Sequence, residues 1–209
     1  MWGAPLEPWT SSLRLDESST MRAHRYADRF SVVRVETSGP LAAAVHKSSS
    51  VPALLVSMFV RPVAVRDYRL SFDGKVVSSG PIAAFRANVI DLAAEPAMWA
   101  DRGIHYVHFH IRRAAIDDAA TDLGYERIGG VRLSVAEEDV VLAQITKSIL
   151  PILVGEAQTS PLALDQLELL VGAHVMQRYG AAMADIATQN FFADAVLASL
   201  FREDPRYVR

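Results

Sequence analysis

The chain has 209 residues, 51% of them hydrophobic, which is enough for one packed domain with a helical appendage and too apolar for a disordered chain. A formal net charge of -3 gives no overall pull toward nucleic acid or an anionic membrane, and the absence of cysteine excludes disulfides, thiol nucleophiles and thiolate metal sites. Pro5, Glu7 and Pro8 stand where a secretory leader needs a basic start and an apolar run, and no uncharged apolar stretch reaches the roughly 18 to 20 residues of a membrane span; the expected location is cytoplasmic, with no membrane partner.

Residues 1–29 read as an N-terminal arm. From Phe30 to Ile111 the apolar residues fall in short β-rich runs separated by turn residues, the pattern of a small antiparallel barrel or sandwich. Strands are predicted over Phe30 to Glu36, Ala53 to Val60, Tyr68 to Phe72, Lys75 to Ser78, Ala87 to Leu92 and Ile104 to Ile111. Asp73-Gly74 is a hairpin signal, because that pair accepts the positive φ angles of a two-residue turn. The period then changes: Ala114 to Leu123 spaces its apolar side chains as a helix, with Gly124 as its left-handed cap.

Two longer helices follow. Ser134 with Glu137 reads as a capping box ahead of an apolar stripe through Val140, Ile145, Ile149 and Leu153, and Pro151 should kink that helix near its end. Ser160-Pro161 supplies a cap and a first-turn proline for a helix over Leu162 to Tyr179, closed by Gly180. Its leucines and valines spread around more of the circumference than one contact face needs. Burial on two sides, against the barrel and against a partner chain, explains that as well as simple burial within a monomer does.

The block Asn88-Val-Ile-Asp-Leu-Ala-Ala-Glu-Pro96, the unit Val107-His-Phe-His-Ile-Arg-Arg-Ala-Ala-Ile-Asp-Asp118, the Asp73-Gly74 hairpin and the ending His174-Val-Met-Gln-Arg-Tyr-Gly180 together resemble the N-terminal cupin-like domain of AraC/XylS-type transcription regulators. The likeness covers about residues 30 to 180 and rests on the order and spacing of these pieces. It implies an α+β fold: a cupin-like antiparallel β-barrel over 30–134 followed by a helical dimerisation segment over 135–180, with Leu164, Leu167, Val171 and Val175 as dimer contacts. It also implies a regulatory part that senses a small-molecule effector and pairs as a homodimer or as a heterodimer with a related regulator.

Residues 181–209 leave the family pattern and are too short for the two helix-turn-helix units that such regulators carry. They suit one further amphipathic helix. From Glu137 to Phe201 the acidic side chains face only Lys147 and Arg178, whereas a DNA-binding surface must be basic, so no direct nucleic-acid binding by this chain alone is expected.

Catalytic signatures are absent. No phosphate loop, nucleophile elbow or His-Glu-x-x-His occurs, no cofactor is implied, and the chain does not read as an enzyme. Ser48 to Ser50 reads as a solvated loop, the carboxylates at Asp117-Asp118 and Glu137 to Asp139 as helix surface or helix starts, and Arg61, Arg66, Arg69 and Lys75 as a basic strand edge. His105, His108 and His110 are the nearest approach to a cupin metal set. Alternation puts Val107, Phe109 and Ile111 on the core face and His108 with His110 outside, and Arg112-Arg113 stand where a ligating carboxylate should follow, so no metal site is expected. Phe59, Phe72 and Phe109 are candidate pocket aromatics for which core packing is the plainer account; an apolar inner face would suit a hydrophobic effector. Two other readings predict different behaviour. A small cupin-type metal-dependent enzyme would carry bound metal, and a truncated non-functional remnant would be poorly soluble.

Overall fold

The computed structural model describes residues 20–26, 29–44, 52–64, 68–122, 131–156 and 160–180. Among the described residues, ten strands form two antiparallel sheets: β1 (Thr20–Tyr26), β2 (Phe30–Glu36), β3 (Leu41–Ala44), β4 (Ala53–Phe59), β5 (Tyr68–Phe72), β6 (Lys75–Ser79), β7 (Arg86–Asp91), β8 (Pro96–Ala100), β9 (His105–Arg112) and β10 (Ser134–Glu138). The larger sheet has the order β1-β2-β9-β4-β7-β10 and the smaller β3-β8-β5-β6. Among the described residues, α1 (Arg113–Asp122) follows β9, and α2 (Val140–Val154) and α3 (Pro161–Tyr179) follow β10.

The six predicted strands are present with bounds within a residue or so. At the β5–β6 hairpin Asp73 and Gly74 take φ of 47 and 76 degrees, the left-handed pair that a two-residue turn requires. Four strands escaped the sequence reading: β1, inside the span read as an arm, then β3, β8 and β10. The capping-box expectation is corrected. Ser134 does bond to the Glu137 carboxylate, but both lie in β10, paired with β7, and the helix starts at Asp139, whose carboxylate accepts the Leu142 N–H at 2.9 Å. The second helix begins as expected, with the Ser160 hydroxyl accepting from Ala163 N–H at 3.2 Å.

That β9 is buried along nearly its whole length is explained by what covers it. Lying between β2 and β4, it has one face, with Val107, Phe109 and Ile111, against the helices. That cluster takes in Ile116 of α1, Leu142 and Ile145 of α2, and Leu167, Leu170, Val171 and Val175 of α3. The opposite face turns Tyr106 toward the second sheet, where Val33, Val35, Leu55 and Phe59 meet Tyr68, Leu70 and Phe72. With both faces covered, the alternation of Val107, Phe109 and Ile111 with His108 and His110 separates two buried faces rather than a buried face from a wet one.

Chain entry into β9 is tight. Thr37 and Ile104 exchange hydrogen bonds, 2.9 Å from Thr37 N–H to the Ile104 carbonyl and 3.0 Å from Ile104 N–H to the Thr37 hydroxyl. A Cβ on the intervening Gly103 would stand 2.2 Å from the Thr37 carbonyl oxygen, a backbone atom that has no rotamer by which to yield. Gly103→Ala is therefore expected to cost about 1–3 kcal/mol, read as a lowered midpoint in thermal unfolding; an unchanged midpoint would mean that the 37–40 segment shifts freely.

Candidate effector-binding site

The inner face of the larger sheet carries a polar row in an otherwise apolar barrel. Antiparallel partners share a face, so the register Val33–His108–Ser57–Asn88 across β2, β9, β4 and β7 places His108, Ser57 and Asn88 side by side, and the next row sets Ser31 beside His110. All are buried, His108 at 3%, His110 at 5% and Asn88 at 1% exposure. Across the interior the Asn88 amide nitrogen donates to the Tyr68 hydroxyl at 3.0 Å, joining the two sheets. Tyr106 stacks near His108, with ring centroids 4.1 Å apart, and Phe59 meets Tyr68 edge-on at 5.3 Å. The Tyr106 and Ser31 hydroxyls are buried with no hydrogen-bond partner among the described residues.

This interior is uncharged at neutral pH. Burial, and secondarily the neighbouring His110, takes the His108 imidazole down to about 3; burial and then the Arg112 charge take His110 down to about 4. Burial likewise pushes the Tyr68 and Tyr106 hydroxyls well above their ordinary range. Among the described residues, the buried inner-facing polar groups include no Asp, Glu, Lys or Arg. Such a set donates and accepts hydrogen bonds. It holds neither a carboxylate for acid-base work nor a third ligand to join the two imidazoles around a metal, and no group of three His, Asp or Glu side chains fit for a metal occurs among the described residues.

Outside the barrel a second polar assembly fastens the helices to it. Asp139 is fully buried and caps α2; its carboxylate also accepts from the Tyr179 hydroxyl at 2.8 Å, lies 2.8 Å from His174 Nε2 and pairs with Arg178 Nε at 3.3 Å. Burial raises its pKa, but the His174, Leu142 and Tyr179 contacts outweigh that and hold the carboxyl down at about 2. Arg178 also donates to the Glu138 carbonyl at 2.7 Å and to Glu137, which Arg132 pairs in turn. The last turn of α3 is thus tied to 131–139 by side chains and by the Arg132 N–H to Tyr179 carbonyl bond of 2.7 Å.

Among solved structures, this architecture is similar to the AraC-like transcriptional activator CuxR, at 12% identity and a TM-score of 0.50, over 92% of this chain and 75% of that one. It also matches an RmlC-like cupin protein from Desulfovibrio desulfuricans at 13% identity and a TM-score of 0.35, over 52% of this chain and 97% of the other. A cupin superfamily protein from Desulfitobacterium hafniense matches at 8% identity and a TM-score of 0.33, over 53% and 93%. The architecture, two antiparallel β-sheets followed by helices, is the α+β fold expected from the sequence. No protein-family model matches the sequence, and no curated protein matches it.

Within the barrel His108 and His110 are not where alternation put them: both are buried on the inner face. His105 shares the face of Val107, Phe109 and Ile111, as expected, and that face packs under the helices; its Nε2 accepts from Arg34 Nε at 2.9 Å, while Arg34 pairs with Glu36 and Glu36 with Arg61 at 3.2 Å. Phe59 and Phe72 do face the barrel interior, whereas Phe109 packs under the helices against Phe30. The inner face is therefore mixed rather than apolar. Of the dimer candidates, Leu167, Val171 and Val175 are buried inside this chain and Leu164 is partly covered by the same cluster; Leu162 and Leu169 are the apolar side chains that α3 leaves exposed. Arg69 lies over Trp99 at 5.2 Å in an internal strand, and Lys75 is on the terminal strand β6. Asp118 pairs with Arg29 at 2.8 Å. Gly124, Ser48 to Ser50, Arg66 and the 181–209 tail lie outside the described residues.

Asn88, Ser57, Tyr68, Tyr106 and Asp139 were not singled out from the sequence as site residues. A signal existed: Ser57 and Asn88 each interrupt an apolar strand, and Tyr106, His108 and His110 recur at a spacing of two. Among the described residues, no helix is long and apolar enough to cross a membrane.

Proposed function

We propose that the chain is the effector-sensing and dimerisation part of an AraC-type transcription regulator, acting in the cytoplasm, and that its effector binds at the inner polar row. The observation that carries this reading is the buried set at Tyr106, His108, Asn88 and Tyr68, which places hydrogen-bonding groups inside a barrel and leaves the Tyr106 hydroxyl unsatisfied. A buried polar group without a partner costs about 1–3 kcal/mol, a cost that a bound small molecule removes. The likeness in fold to an AraC-like activator, running through barrel and helices, supports the family. The effector is uncharged, with a ring or apolar body and one or two polar groups, since an anion here would be buried with no cationic partner.

In the cell such a module acts by association, pairing with its own copy or with a related regulator. Because Leu167, Val171 and Val175 are already covered, the pairing surface includes Leu162 and Leu169. One purified sample tests the assignment: a metal-free dimer whose melting temperature rises with uncharged ring compounds such as benzamide, and not with benzoate, is the expected result. A monomer with stoichiometric metal would overturn it in favour of a small cupin-type metal-dependent enzyme, the reading that the inward pair His108 and His110 favours.

A further inference from the structure

We infer that Asn88 is a positioning residue that couples the barrel interior to the C-terminal turn of α3, so that what occupies the barrel is reported where α3 ends. The inference rests on the effector reading only for the identity of the occupant. The coupling itself does not depend on what the occupant is.

The Asn88 side chain bonds in both directions. Its amide nitrogen donates inward to Tyr68, and its amide oxygen accepts the Ala136 backbone N–H at 2.8 Å. That second bond falls on an irregularity. Ser134 pairs with Val89 and Glu137 with Ala87, so Val135 and Ala136 together oppose Asn88 alone, and Ala136 takes a φ of 53 degrees. Left-handed backbone at a non-glycine residue persists only where its surroundings hold it. Here the side-chain amide takes the N–H that regular pairing would have used.

The next three residues form the grip on α3. Glu137 binds Arg178 and Arg132, the Glu138 carbonyl accepts from Arg178, and Asp139 holds His174, Arg178 and Tyr179. Shifting the bulge moves all three together, because they follow it without an intervening loop. A ligand that draws the Asn88 amide inward competes for the group that fixes Ala136, and a ligand that satisfies Tyr68 leaves it in place. Either way the occupant acts on the α3 terminus through one amide. By linkage the effect is reciprocal.

Hydrogen exchange on the full chain without ligand tests this. In Asn88→Ala, amides of 134–138 and of the last α3 turn are expected to lose protection about tenfold, while the first α3 turn and β9 stay within about twofold of wild type. In Arg178→Ala the loss is expected to travel back into β10 and to the start of β5. Tyr68→Phe, which keeps the ring and its packing, should give a smaller change in the same two segments and stands in if Asn88→Ala does not fold. Losses confined to β10 in the Asn88 and Tyr68 variants, or spread evenly over the chain, overturn the coupling, as does an Arg178→Ala effect confined to α3. Failure of benzamide to bind would count against the effector assignment and leave these exchange results standing.

Discussion

Moving the protein from pH 7 to pH 5 is expected to remove about 4 kcal/mol of stability, about 2 kcal/mol from each of His108 and His110. Both imidazoles are held neutral in the folded state, down to about 3 and about 4, chiefly by burial, whereas in the unfolded chain they protonate near pH 6.5. Above that value neither state binds a proton at these sites and nothing is lost. As the pH falls below it, the unfolded chain takes up protons that the folded one refuses, and stability declines until the folded pKa values are reached. His105, held down to about 4 by burial and then by Arg34, adds in the same direction, with Glu36 pulling the other way. Asp139 does not contribute in this window, because its carboxyl is charged in both states above about pH 4. Urea unfolding at pH 7, 6 and 5 reads the effect, and replacing His110 by Gln should flatten the profile by about half. Equal stability at pH 7 and pH 5 would show that water reaches both rings.

Truncating Asp139 to Ala is expected to cost about 3–5 kcal/mol, as large as any single change on the helical side. The carboxylate is fully buried and meets an N-terminal helix amide, a histidine, an arginine and a tyrosine hydroxyl at once. Its removal uncaps α2 and leaves those groups facing a gap. Asp139→Asn keeps a good cap and one acceptor while discarding the charge, so about half the loss is expected to return. Chemical denaturation of the two variants separates the contributions. A loss near 1 kcal/mol for Asp139→Ala would reduce Asp139 to an ordinary helix cap.

The legible parts of the fold were those where local chemistry agrees with the final structure. Phe30 to Glu36 and Tyr68 to Phe72 alternate or carry β-branched residues, Asp73-Gly74 specifies its turn, and Ser160-Pro161 starts α3 as predicted. Three strands lacked such a signal: β1 is largely polar, Leu41–Ala44 is mostly alanine, which favours helix, and β8 opens with proline. At β10 a real Ser134–Glu137 contact imitates a capping box inside a strand, and only the pairing with β7 distinguishes the two. The site was misread for a single reason. Assigning His108 and His110 to the outside assumes that a strand with one apolar face has a wet opposite face, and β9 has none. The dimer contacts on α3 were read from its excess of apolar residues, much of which is taken up by α1, α2 and the sheet.

That central place of β9 also governs how the chain comes together. In the larger sheet β1 and β2 stand on one side and β4, β7 and β10 on the other, and β9 alone joins the two groups. The Phe30–Ile111 and Glu36–His105 partners are far apart in sequence, so much of the loop-closure entropy is lost before these pairings form, and such topologies fold in milliseconds to seconds rather than microseconds. During synthesis no fragment ending before Arg112 can assemble this sheet. Until then the apolar inner edges of β2 and β4 remain open to other chains, and the step that closes the barrel is the same one that ends this exposure.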